Sequence, residues 1–102
     1  MIVVRFVFQT KWGKAQDVVD ELKQNADSMR NFVGADVRVR ILTDLSGPFH
    51  TVVQELEVES LAEWERLRQA MFSNPEFQNR QASENMPFES GHTEFYTLEA
   101  SF

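Results

Sequence analysis

The chain has 102 residues, 42% of them apolar, with sixteen Asp and Glu against ten Lys and Arg for a formal charge of −6. That is enough for one domain that buries roughly two-thirds of the surface its unfolded form exposes, and scattered arginines in an acidic chain argue against nucleic-acid and membrane partners. With no cysteine, disulfide frameworks and zinc–thiolate sites are excluded.

No apolar run approaches the ~18 residues of a membrane span, and no basic segment precedes the first apolar stretch. The expectation is a cytoplasmic protein. Nine phenylalanines and two tryptophans are more aromatic surface than a small monomer hides easily, which points to an interface or a lined cavity.

Ile2, Val4, Phe6 and Phe8 alternate with Val3, Arg5, Val7 and Gln9, so the spacing predicts a central strand with one apolar and one mixed face. Thr10 to Gly13 connect it to a helix in which Ala15, Val18, Val19, Leu22, Ala26, Met29 and Val33 form the apolar stripe and Gly34 the stop. Val37, Val39 and Ile41 then alternate with Arg38, Arg40 and Leu42, and a tight turn over Asp44 to Gly47 leads into a strand over 49–58. Two strands joined so closely must be antiparallel.

Ser60, Leu61, Ala62 and Glu63 form a capping box at the head of a helix over 61–72, with Leu61, Trp64, Leu67 and Met71 on its apolar stripe. Ser73, Asn74 and Pro75 suit the start of a further helical piece anchored by Phe77. The pattern weakens from Gln78 to Gly91, which is expected to act as a mobile flap. A last strand follows over 92–102, with Tyr96, Leu98, Ala100 and Phe102 on its apolar face.

This order, strand, helix, strand, strand, helix, strand, is the split βαβ arrangement of ferredoxin-like α+β folds. The four-stranded antiparallel sheet is expected in the order 4-1-3-2, with both helices on one face of a single domain, residues 1–102. Phe6, Phe8, Val52, Leu56, Tyr96 and Leu98 are expected on the helix side. The other face would carry Arg5, Arg38 and Arg40 with Glu55, Glu57 and Glu99 around Val7, Leu42, Val53 and Phe95. Such a face is either a solvated surface with cross-strand ion pairs or, as the apolar residues favour, a sheet-to-sheet dimer contact.

His50 and His92 each begin a strand and are expected at opposite ends of the sheet, which excludes a two-histidine metal site within one subunit. Either is a structural residue or, for His50, a general base at a pocket mouth. Trp64, Phe72, Phe77, Phe6 and Phe8 suit an ordinary core or the walls of a cavity for a small apolar or aromatic ligand. No metal site and no cofactor is expected.

The run Gly47, Pro48, Phe49, then Glu55, Glu57, Ser60 to Trp64, and Asn74 to Phe77 resembles the dimeric α/β-barrel superfamily, and within it the NIPSNAP-like branch. The resemblance implies a homodimer in which two sheets close a barrel, with a pocket between each sheet and its helices. That superfamily includes cofactor-independent monooxygenases, haem-degrading enzymes, chlorite dismutases and lactone isomerases. Haem-binding members take an axial histidine from the helical region, and Leu61 to Met86 contains none. Trp64 is similar to a tryptophan of the monooxygenase pocket, and Tyr96 would supply its phenol. The reading is a homodimer of unassigned activity that binds a small apolar or aromatic molecule. The alternatives are a cofactor-independent monooxygenase or isomerase acting on quinone-like or polycyclic substrates, and a structural dimer without a ligand.

Overall fold

The computed structural model describes residues 1–33, 37–47, 49–73, 75 and 87–102, with backbone alone over 28–33. The elements are β1 (Ile2–Thr10), α1 (Ala15–Val33), β2 (Arg38–Thr43), β3 (Thr51–Val58), α2 (Leu61–Phe72) and β4 (Phe88–Thr97). The four strands form one antiparallel sheet in the order β2-β3-β1-β4. This is the expected ferredoxin-like α+β arrangement. The side chains of Met29 and Val33, the cap at Gly34, and Asn74 and Phe77 lie outside the described residues.

β1 lies inside the sheet with a neighbour on each edge, and its alternation sets its faces: on the helix side Val4 is opposite Leu56 on β3 and Phe95 on β4. The helix side of the sheet holds two buried clusters. Val4, Leu56, Val58, Trp64 and Leu67 pack under α2, while Val18, Val19, Leu22 and Val52 pack under α1. At α2, Ser60 Oγ accepts from the Glu63 amide at 3.2 Å. The Glu63 carboxylate turns instead to the Arg66 guanidinium, whose hydrogen bond holds it below the usual carboxylate range. Only the serine half of the capping box is therefore made.

Three expectations are corrected. β4 runs from Phe88 to Thr97 rather than over 92–102. An edge strand extends only as far as its neighbour: Thr97 is opposite Ile2, where β1 begins, while Lys11 N donates to Pro87 O beyond the other end. The segment expected as a flap thus contributes Phe88 to Gly91 to the sheet, and Gln78 to Met86 lie outside the described residues.

Counting the alternation past the strand end also inverted its faces. Phe95 is on the helix side with Val4, and Tyr96 is on the open side opposite Val3. Glu99 lies beyond the strand, and Glu94 takes its expected place opposite Arg5. The pairing of β4 shifts register between Gln9 and Thr10, so that Phe88 is opposite Thr10 and Ser90 opposite Gln9, with Glu89 the extra residue of a bulge.

Finally, β3 and β4 both run antiparallel to β1 and so run parallel to each other, as a helical crossover within one sheet requires. His50 and His92 therefore stand towards the same end. His50 bonds through its carbonyl to Thr10 N, and His92 is opposite Val7. His50 also precedes β3 rather than opening it, in a turn with φ +59°.

Candidate functional site

The helix side of β1 and β4 carries a ladder of rings. Phe6 stacks on Phe8 at 6.2 Å between centroids, and Phe8 stacks on Phe88 at 4.9 Å. Alternation along β1 sets the first pair, and the bulge at Glu89 sets the second by turning Phe88 to the same face. Opposite Phe8 stands Gly91, where an added Cβ would lie 3.2 Å from the Phe8 ring and 3.2 Å from the Val7 carbonyl. The missing side chain lets the ring lie across the strand. With Glu89, Ser90, His92 and Thr93, these rings line an open cleft of about 410 Å³, within the usual size range of small-molecule sites.

Trp64 is 7% exposed and belongs to the core under α2, with Phe6 at 5.6 Å and the edge of Phe95 at 6.2 Å. It backs Phe6 rather than lining the open cleft. Phe72 ends α2 with 40% exposure and lies under the Arg68 guanidinium, 5.0 Å from its centroid. The structure thus joins Phe6 and Phe8, sets Trp64 behind Phe6, and leaves Phe72 and Tyr96 away from them. Phe88 was missed, since nothing in the sequence marks the bulge that aligns it, and Phe95, expected on the open face, lies on the helix side opposite Val4.

His50 packs against Trp12 at 4.5 Å and Phe49 at 6.4 Å. Its Nε2 is buried without a hydrogen-bond partner. Among the described residues no group of three or more His, Cys, Asp or Glu is placed to hold a metal ion.

The open face carries an ion network. Arg5 Nε lies 3.1 Å from Glu55 Oε2, and Arg5 Nη1 donates to Glu94 Oε1 at 3.0 Å. Arg40 joins Glu55, and Arg38 lies 4.0 Å from Glu57. Glu94 also accepts from the Tyr96 hydroxyl at 3.2 Å, and its other oxygen lies 3.2 Å from His92 Nε2. The His92 hydrogen bond, then the Tyr96 hydroxyl and the Arg5 charge, hold the Glu94 carboxyl below its ordinary value. Around this network Val53 is buried, while Leu42 is 42% and Tyr96 50% exposed.

No family model matches the chain, and no curated protein matches its sequence. Solved structures do match its fold. A NIPSNAP family protein from Agrobacterium tumefaciens superposes with a TM-score of 0.76 at 14% identity, covering 94% of this chain and 90% of its own. An uncharacterized NIPSNAP domain protein from Burkholderia xenovorans gives 0.77 at 18% identity, covering 98% and 96%. A mutant of MhuD with two manganese protoporphyrin IX bound per active site gives 0.77 at 10% identity, covering 100% and 98%. At these identities the likeness is one of fold, and the chain has the ferredoxin-like α+β fold of the NIPSNAP family proteins.

Proposed function

We propose that the chain is a homodimeric cytoplasmic protein that binds a small apolar or aromatic molecule in the cleft beside Phe6, Phe8 and Phe88. The observation that carries this reading is the ring ladder itself: three stacked phenylalanines on the helix side of the sheet, open over one glycine-flattened strand. Flat ligands gain offset stacking on such a wall in addition to burial. Dimerisation through the open face is supported by the exposed Leu42 and Tyr96 beside matched charges, a pattern that suits a second sheet better than water. Activity stays unassigned, because Tyr96 is on the opposite face of the sheet from the ladder and His50 packs against Trp12.

The porphyrin of the MhuD neighbour raises the question of haem. The residues of this chain do not fit it. His92 bonds Glu94 on the open face, His50 is held by Trp12 and Phe49, and Leu61 to Met86 contains no histidine. Native mass spectrometry of freshly purified protein, followed by NMR titration with naphthalene, tests the proposal. The expected result is a dimer mass with saturable shifts at the Gly91 and Thr93 amides. A monomer without saturable shifts would overturn it.

A further inference from the structure

Gly91 is opposite Phe8 and Thr93 opposite Phe6, all on the helix side of the sheet, and alternation counted back from them brings Glu89 to that side as well. The register shift between Gln9 and Thr10 then adds Phe88 to the same side. Two consecutive side chains, a ring and a carboxylate, therefore meet one cleft, and both line it. Glu55, Glu63 and Glu94 each hold an arginine, whereas among the described residues no cation is paired with Glu89. Neither lysine nor arginine lines the cleft, and the His92 ring is bonded to Glu94. The faces of the three phenylalanines add their own negative potential, which attracts a cation held over a ring. In a chain of net charge −6, wall, rim and overall field thus share one sign.

We infer that the cleft selects flat aromatic cations, with the aryl group on the ring ladder and the Glu89 carboxylate at the rim accepting from an ammonium group. The ligand class is then arylalkyl amines rather than aryl carboxylates or plain hydrocarbons. The inference rests on the cleft being a binding site and names the charge of what it binds. Specificity is a difference of affinities, and here both halves of it are present: an ammonium meets a carboxylate, while a carboxylate of the same shape meets a like charge.

The test uses three probes of one shape and different charge, naphthylmethylamine, naphthylmethanol and naphthylacetate, titrated into the full chain and followed by amide NMR shifts. The wild type is expected to bind the amine most tightly and the acetate least. Glu89→Gln should weaken the amine about threefold, the usual size of an exposed ion pair, and leave the alcohol unchanged. Glu89→Lys should reverse the order of amine and acetate. Glu59→Gln removes the same charge from an exposed position that follows β3 at the far end of the sheet, and it should change none of the three. An equal loss in Glu59→Gln, no loss in Glu89→Gln, or equal losses for amine and alcohol would overturn the role of Glu89 while leaving the cleft reading intact. Failure of all three probes to bind the wild type would remove the cleft reading and this inference together.

Discussion

At the scale of single residues, His50 combines a left-handed backbone with a ring in contact with Trp12 and Phe49. Asn adopts that conformation readily, whereas a β-branched residue is a steric outlier there. His50→Val should therefore be less stable than His50→Asn by about 1 kcal/mol, read by urea denaturation; equal midpoints would contradict the strain. Trp64 is core under α2, touching Phe6 and Phe95, so Trp64→Ala should lose about 3–5 kcal/mol in the same measurement. The sequence placed Trp64 on the sheet-facing stripe of its helix, since helical periodicity settles facing within one element. Whether its neighbours would be Tyr96 or Phe95 was not legible, because that depends on where an edge strand stops.

Elements whose signal is local were readable in advance. The bounds of α1 and α2 follow from the apolar stripe and the Ser60 cap, and the strand order follows from the rule of right-handed crossovers. Ser60→Ala should lower stability by about 1 kcal/mol, seen as a lower thermal midpoint, because the Glu63 amide loses its acceptor while the Glu63–Arg66 pair is untouched. β4 was misread for a physical reason: Leu98, Ala100 and Phe102 continue an apolar alternation that has no partner strand to pair with once β1 begins at Ile2. The cleft was half legible. Phe6 and Phe8 announced themselves by alternation, whereas Phe88 joins them through a bulge that leaves no mark on composition.

For the molecule as a whole, the open face links pH to stability. The folded Glu94 carboxyl lies below its ordinary 4.5, so its contribution is present above pH 4.5 and is lost as pH falls through the lower folded value. Glu94→Gln should therefore flatten the acid limb of the stability profile below pH 4.5, read by thermal melts across pH, and leave its shape above pH 5 unchanged. The same face should hold the dimer. Leu42→Arg, at an exposed position paired with Val53, would bring an unmatched charge against a facing sheet, and sedimentation velocity should record monomer where the wild type gives dimer. The bulge at Glu89 also governs what the chain can tolerate. Phe88 and Phe95 are separated by an odd number of positions yet point to the same side, so β4 contains a phase boundary between two alternating patterns. A relative of the same length that pairs there without the bulge cannot keep both halves. It must either hold the ring on Phe8 and lose the carboxylate opposite Arg5, or keep the ion network and turn Phe88 to the open face.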